Sequence, residues 1–173
     1  GYSQHRIEDL MTKKICLYGI SAAVCLALGF LESMLPLDFI APGVKLGLAN
    51  AAALLLIYSG DIPGAAFVNL TRILLSAVLF SGASSLPFSL CGAAGALAVM
   101  ALISKFRAFS IIGASAAGGA VHNLLQGAVA LLVVGKAAAV YLPWLLLCGA
   151  ASGTLVGVVG CLIRRKCGNI FSL

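Results

Sequence analysis

Residues 140–163 read VYLPWLLLCGAASGTLVGVVGCLI, an apolar stretch without a charged side chain. A helix needs ~20 mostly apolar residues to cross a ~30 Å hydrocarbon core, so this stretch predicts a transmembrane helix. Similar stretches precede it and end at clusters of Pro and Gly, which is typical of turns. We predict five further spans: Ile15–Leu35, the segment from Pro42-Gly43 to near Gly60, Ile62–Phe80, Leu86–Ile103 and Ser110–Val134. The expected fold is all-α, a polytopic membrane protein built as a compact bundle of six transmembrane helices.

The composition supports a membrane protein and excludes a soluble or secreted domain. The 173 residues are 62% hydrophobic and 9% charged, whereas soluble domains carry about 25% charged residues. The net charge of +6 comes from residues at helix ends, not from a basic run with interleaved aromatics, so no nucleic-acid partner is expected. The six cysteines form no C-x-x-C pair, and we expect neither a disulfide framework nor a metal site.

The basic residues indicate the orientation of the chain in the membrane. In a six-span topology one side holds Lys13, Lys14, Lys105, Arg107, Arg164, Arg165 and Lys166, and only Lys136 lies in a loop on the other side. Cytoplasmic loops carry the excess of Lys and Arg. Both termini are therefore expected in the cytoplasm, in a multi-pass protein of the plasma membrane.

The first ten residues, GYSQHRIEDL, are polar and match nothing that follows. Met11-Thr12-Lys13-Lys14 resembles a natural bacterial start, so we expect residues 1–10 to be a remnant of the expression vector, disordered or poorly packed. No soluble domain or long linker fits between the predicted spans. Residues 11–173 are therefore expected to form a single six-helix transmembrane domain.

Two of the predicted spans carry a small residue at every fourth position. These are Gly19, Ala23 and Ala27 in the first span, and Gly149, Gly153 and Gly157 in the sixth. Four-residue spacing places small residues on one helix face, where another helix backbone approaches closely. The partner is either another helix of the bundle or a separate membrane subunit, and the spacing leaves both open.

Polar and charged residues inside the spans suggest a binding site. A charge at the bilayer centre costs ~2.5–3.5 kcal/mol on the mild insertion scales, so each one needs a reason. The candidates are Glu32, Lys45, Asn50, Asn69, Arg72, His122, Asn123 and Gln126. They come from four spans and lie from mid-membrane to the outer side, which predicts a pocket for an anionic or polar small molecule. The alternative is a structural ion pair of Glu32 with Arg72 or Lys45, together with interhelical hydrogen bonds.

Catalytic motifs are missing from the sequence. Residues 11–173 contain only three acidic residues, Glu32, Asp38 and Asp61, and no two are spaced to share a metal. The sequence contains neither a Gly-rich phosphate loop with Lys and Ser/Thr nor a nucleophile elbow. We therefore expect no catalytic residues, no cofactor and no ATP hydrolysis by this chain itself.

Three stretches of the sequence resemble the Gx transporter family, often labelled "heptaprenyl diphosphate synthase component I". They are LESMLPLDFIAPGVKLGLAN (31–50), TRILLSAVLFSG (71–82) and FSIIGASAAGGAVHNLLQ (109–126), and the likeness extends from about Met11 to Lys166. The most specific parts are P-G-V-K-L-G-L-A-N and the H-N-x-x-Q of the fifth span.

The resemblance implies a fold and a function. The family is similar to the substrate-binding S components of energy-coupling-factor importers, which have six helices, both termini inside and a ligand site in the outer half. Their first helix engages a transmembrane coupling subunit, driven by two ATPases, through a small-xxx-small face. Gly19, Ala23 and Ala27 occupy the matching place, with Gly where the usual motif has Ala. The word "synthase" fits less well, because prenyl chain elongation uses Mg²⁺ on aspartate-rich motifs, and this chain has no D-D-x-x-D.

Two functions remain as hypotheses at this point. The first is a membrane substrate-binding subunit of an importer for a vitamin- or cofactor-precursor-type small molecule, or a transporter of the same fold that works alone. The second is a non-catalytic membrane subunit of an isoprenoid, quinone or flavin-linked redox system. A prenyltransferase component ranks last. An outward-facing cavity would favour the first hypothesis, and a closed cluster of Glu32, Lys45 and Arg72 would favour the second.

Overall fold

The structure is a computed structural model that describes residues 2–34, 47–106 and 109–167. Within these ranges the chain forms six α-helices and no strand, so the predicted all-α fold is confirmed. The helices are α1 (Tyr2–Ser33), α2 (Ala51–Tyr58), α3 (Ile62–Ser76), α4 (Leu86–Ser104), α5 (Ile111–Val134) and α6 (Leu142–Cys167). Short 3₁₀ turns cover Leu48–Asn50, Ala83–Ser85 and Lys136–Tyr141, and a π-helical turn, Ala77–Ser81, extends α3.

Five helical segments in the described residues are long and apolar enough to cross a membrane. They are Glu8–Ser33, Ile62–Ser81, Ala83–Ser104, Ile111–Val134 and Lys136–Lys166. The second helix is the exception, because α2 has only 8 residues and spans about 12 Å at 1.5 Å per residue. The start predicted for the second span, at Pro42-Gly43, lies outside the described residues.

Local capping explains where two of the long helices begin. The Asp61 carboxylate accepts a hydrogen bond from the backbone N–H of Gly64 at 3.0 Å, and Pro63 follows in the first turn of α3. The Ser110 hydroxyl accepts from the backbone N–H of Gly113 at 3.1 Å at the start of α5. Asp and Ser satisfy the free N–H groups at helix N-termini, and Pro is tolerated there because it lacks one.

The short helix α2 lies at the centre of the bundle. It packs against all five other helices, and Ala53, Leu54 and Leu56 expose 1% or less of their surface. Its sequence, AAALLLIY, is apolar on every side, as expected of a helix surrounded by protein. The other helices form a shell around it.

The glycines of α6 pack tightly against α5. Gly149, Gly153 and Gly157 are buried, and a Cβ on Gly157 would lie 2.7 Å from the Cα of Ile112 in α5. A Cβ on Gly153 would collide with the Ser115 carbonyl group. The small residues of α6 therefore serve packing inside the bundle, which is one of the two alternatives that their spacing left open.

The small residues of α1 face outward. Gly19, Ala23 and Ala27 are all exposed, and a Cβ on Gly19 would meet nothing within 4 Å. The inward side of α1 instead carries Ala22 and Cys25, which are buried in the core. Internal packing therefore does not explain the small residues of α1, and the described residues leave this face uncovered.

Contacts between helices define the two ends of the bundle. At one end the Tyr18 hydroxyl donates a hydrogen bond to the Asp61 carboxylate. At the same end the guanidinium carbon of Arg164, near the end of α6, lies 5.7 Å from the centre of the Tyr58 ring. At the opposite end the Phe30 and Phe80 rings meet edge to face, with centroids 5.5 Å apart. We call these the Tyr58 end and the Phe30 end.

The first residues of the chain continue helix α1. That helix begins at Tyr2, and the described side chains between His5 and Leu10 are exposed.

Which end of the bundle faces the cytoplasm stays a prediction.

Candidate functional site

Arg72 forms the centre of a polar cluster between α3 and the turn before α2. Its Nη2 donates to the Asn69 Oδ1 at 2.8 Å and to the Asn50 Oδ1 at 3.4 Å, and its Nε donates to the Asn69 Oδ1 at 3.3 Å. Asn69 is buried, and Arg72 and Asn50 are half-buried. The three residues, which we call the Arg72 cluster, place a positive charge against two neutral amides.

Glu32 lies near the Arg72 cluster and holds the polypeptide before α2. It is buried on α1, and its Oε1 accepts a hydrogen bond from the backbone N–H of Gly47 at 2.7 Å. Gly47 has a φ of +70°, a left-handed conformation that suits glycine. Glu32 also interacts electrostatically with Arg72. The hydrogen bonds of the Arg72 guanidinium in the described residues go to Asn50 and Asn69.

His122, Asn123 and Gln126 form a second polar group on α5, and all three are buried. Asn123 Nδ2 donates to the backbone carbonyl of Leu145 in α6 at 3.1 Å. His122 and Gln126 face α4, where a Cβ on Gly92 would lie 3.1 Å from the His122 Cε1 and 3.0 Å from the Gln126 Cγ. These side chains therefore join α5 to both neighbouring helices.

A small cavity, which we call the inner cavity, separates the two polar groups. Its walls include Gly47 and Asn50 on one side and His122 and Asn123 on the other. Its volume is about 20 Å³, which is room for about one water molecule. Four of the predicted site residues, Glu32, Asn69, Arg72 and Gln126, lie outside its walls. Lys45, the other predicted basic residue of the site, lies outside the described residues.

Two serines that line the inner cavity are not among the predicted site residues. Ser115 on α5 and Ser152 on α6 are buried and line the cavity. Ser152 donates its hydroxyl to the Gly149 carbonyl at 3.1 Å. Ser115 lies seven residues before His122, two helical turns away on the same face. That spacing was a usable signal for Ser115, whereas Ser152 sits among small residues typical of packing.

A larger opening, which we call the α3–α4 groove, lies between those two helices and has a volume of about 230 Å³. Its walls are almost entirely apolar. They include Ala66, Leu70 and Ile73 from α3, and Leu90, Ala94 and Leu97 from α4, with Asn69 as the polar exception. Asn69 therefore belongs both to the groove and to the Arg72 cluster.

No metal site is found in the part of the chain that the structure describes. These residues contain no group of three or more His, Cys, Asp and Glu side chains that could hold a metal ion. Among the described residues the arrangement combines hydrogen-bond donors and acceptors with the Arg72 guanidinium and the neighbouring Glu32 carboxylate, and its donors and cation suit the binding of a polar or anionic group.

Comparison with known proteins identifies a family. A sequence model of the family described as "Heptaprenyl diphosphate synthase component I" matches residues 21–163. The matched range contains all eight predicted ligand-binding residues and at least part of each of the six helices. No curated protein and no solved structure matches the chain.

Proposed function

Because the chain belongs to the heptaprenyl diphosphate synthase component I family, also called the Gx transporter family, we propose that it is a substrate-binding membrane subunit of a small-molecule importer. The ligand is a vitamin- or cofactor-precursor-type molecule that carries an anionic or strongly polar group. Its anionic or polar group binds at the Arg72 cluster, across the inner cavity from the polar group of α5, and the site lies from the membrane centre towards the Phe30 end. That end faces the exterior of the plasma membrane, and both termini are cytoplasmic.

The observation that carries this proposal is the environment of Arg72. Its guanidinium lies within a membrane span and donates to the side-chain oxygens of Asn50 and Asn69. A buried arginine whose only purpose is structural is expected to pair directly with a carboxylate. Here the neighbouring carboxylate, Glu32, accepts from the Gly47 backbone. Arg72 therefore keeps hydrogen-bonding capacity for an anion, since a guanidinium has five N–H donors.

The size of the inner cavity bears on how the subunit binds its ligand. A volume of about 20 Å³ is far below the ~300–1,000 Å³ of ordinary ligand pockets. We therefore propose that the bundle is closed around the site in this arrangement. Binding then separates α2 and its preceding turn from α5 and α6.

The exposed small residues of α1 support a partner. Gly19, Ala23 and Ala27 present a flat face that the described part of the bundle does not use. We propose that a transmembrane coupling subunit with associated ATPases docks there, since small residues let two helices approach closely. This chain supplies the binding site, and the partner supplies ATP hydrolysis.

The family's description favours a second candidate function. The words "synthase component I" suit a non-catalytic membrane subunit of an isoprenoid or quinone system, or of a flavin-linked redox system, in which the same α1 face docks an enzyme. We propose no catalytic role for the chain in either case. Elongation of an allylic diphosphate by the purified chain with isopentenyl diphosphate and Mg²⁺ would contradict this.

The test of the proposed function is mass spectrometry of the small molecules retained by the purified protein. We expect the wild type to retain a molecule with a carboxylate or phosphate group, and Arg72→Ala to lose it. Arg165→Ala is the matched control, because Arg165 is exposed near the end of α6. Arg72→Lys should retain less than the wild type, since a point charge does not reproduce two parallel N–H contacts.

A stability measurement on the same variants separates binding from a structural ion pair. If Arg72 serves only to neutralise Glu32, Arg72→Ala should destabilise the fold by several kcal/mol, because the buried Glu32 carboxylate loses the positive charge beside it. Adding Glu32→Gln should then restore much of that stability. Rescue by the double variant, with the retained molecule unchanged in Arg72→Ala, would contradict the proposed function.

A further inference from the structure

An opening larger than the inner cavity lies beside the candidate site and is apolar. The inner cavity has a volume of about 20 Å³, and the α3–α4 groove has about 230 Å³. A wholly polar ligand would find few hydrogen-bond partners in a groove lined by Leu70, Ile73 and Leu90, so its entry is unfavourable. An apolar chain fits such walls, because it makes close van der Waals contact with them.

The groove and Arg72 lie deep in the predicted membrane span. The span Ile62–Ser81 has 20 residues, so Asn69 lies about 11 Å and Arg72 about 15 Å along it from Ile62 at 1.5 Å per residue. Half of a ~30 Å hydrocarbon core is also about 15 Å. Arg72 is thus near the membrane centre, where bulk phospholipid places the ends of its chains and not its head groups.

Asn69 connects the apolar groove to the cation. It lines the groove, and its Oδ1 accepts from both Nε and Nη2 of Arg72, at 3.3 and 2.8 Å. These two N–H groups form the guanidinium edge that a carboxylate or phosphate binds with two oxygens. An anion that approaches from the groove can therefore take the place of the Asn69 oxygen when that side chain turns aside.

We propose that the ligand is a single-chain amphiphile from the bilayer, whose anionic head binds Arg72 and whose apolar tail lies in the α3–α4 groove. This inference rests on the proposed function and specifies its substrate class. The occupant of the groove is the ligand's own tail, and the ligand enters between α3 and α4 from within the membrane. Charge complementarity at Arg72 selects an anionic head over a zwitterionic phospholipid head, and the apolar walls of the groove select a tail.

The experiment uses the full chain in nanodiscs of phosphatidylcholine and counts bound probe by native mass spectrometry. Dodecyl phosphate carries the head and the tail, propyl phosphate carries the same head on a short chain, and dodecanol carries the tail alone. We expect dodecyl phosphate to bind at least tenfold more tightly than either other probe, although phosphatidylcholine is in large excess.

Two alanines of α4 provide a matched pair of variants. Ala94 lines the groove, Ala98 lies one turn further along the helix outside its walls, and both are exposed. Ala94→Trp should fill the groove and weaken dodecyl phosphate binding at least tenfold without affecting propyl phosphate. Ala98→Trp should leave both affinities unchanged. Because both positions are exposed, neither substitution disturbs the core.

The outcomes distinguish this inference from the proposed function. If Ala94→Trp binds dodecyl phosphate as Ala98→Trp does, or if propyl phosphate binds as tightly as dodecyl phosphate, the amphiphile is overturned. In either case, loss of phosphate binding in Arg72→Ala would leave the proposed function standing. If Arg72→Ala binds dodecyl phosphate as the wild type does, the groove accepts any apolar chain and both proposals fail. If none of the probes binds, the amphiphile is overturned, and the molecules retained by the wild type and Arg72→Ala decide the proposed function.

Discussion

The small residues of α6 and those of α1 share one spacing and occupy opposite environments. On α6, Gly153 touches the Ser115 carbonyl group of α5 so closely that no Cβ fits. On α1, Gly19 has open space where a Cβ would be, and Ala23 and Ala27 are exposed. The spacing produces a flat helix face in both cases, but only one of the two faces is covered by the described part of the chain.

The difference shows what a small-residue pattern specifies. Small residues remove the steric barrier to a second backbone, and close packing then provides the attraction between helices in lipid. The pattern does not specify where the second helix comes from. For α6 it comes from α5, its neighbour in sequence, through the short connection of residues 135–141. For α1 it has to come from outside the described chain if it comes at all.

The largest difference in stability is expected between two single variants, in which one glycine of the α6 face or one glycine of the α1 face is replaced by alanine. Gly153→Ala should lower the free energy of unfolding by about 3 kcal/mol, the upper end of the usual cost of overpacking, because backbone atoms on both helices have to move. Gly19→Ala should change stability little or raise it by up to about 1 kcal/mol, since Ala is the better helix former. Unfolding of both variants in detergent measures the difference.

Equal stabilities of Gly153→Ala and Gly19→Ala would contradict the assignment of the two faces. Gly160→Ala provides a matched change on α6, the helix that carries Gly153. Its Cβ would lie 3.1 Å from the Leu54 Cδ2, the flexible end of a side chain that can shift. Its cost should fall between the other two.

A smaller effect is expected at the contact that attaches α1 to α3. The Asp61 carboxylate both caps α3 and accepts from the Tyr18 hydroxyl. Asp61→Ala should cost about 2 kcal/mol, from a lost cap of ~1 kcal/mol and a lost hydrogen bond to a charged group. Tyr18→Phe removes only the hydrogen bond and should cost about 1 kcal/mol. Thermal unfolding of the two variants would contradict this role if Tyr18→Phe were the more damaging.

Much of the fold follows from local signals in the sequence. The start of α3 at Ile62 and the end of α5 at Val134 agree with the predicted spans. Asp61 caps the first, and Gly135, with a φ of +90°, follows the second. The position of α2 did not follow, because AAALLLIY is equally typical of a short span and of a core helix. Only its neighbours show that it is central.

The candidate site likewise contains contacts that the sequence predicts and contacts that it does not. The contact between Asn69 and Arg72 was predictable, because residues three apart lie on one helix face. The role of Asn50 as a second acceptor depends on how the turn before α2 meets α3, and no local pattern encodes that meeting. Ser115 and Ser152 were missed for a related reason, since a serine in a helix among small residues is usually packing material.

The smallest effect on stability is expected on the exposed face of α1. Ala23→Trp should change the free energy of unfolding by less than about 0.5 kcal/mol, as is usual for exposed positions, and should leave ligand binding intact. It should nevertheless abolish association with the transmembrane coupling subunit, because an indole there holds the two helix backbones apart. Co-purification with the coupling subunit and its ATPases, expressed together, measures the association.

The matched control for Ala23→Trp is Val24→Trp, at the neighbouring position. Val24 exposes 51% of its surface but lies about 100° around the helix from Ala23, since one turn holds 3.6 residues. A docking face centred on Gly19, Ala23 and Ala27 should tolerate a bulky residue at 24 and not at 23. Equal association of both variants would mean that these small residues contact lipid alone. If Ala23→Trp loses the partner and Val24→Trp keeps it, the α1 face packs against a second helix as the α6 face does. For α6 that helix is α5, and for α1 it belongs to another chain.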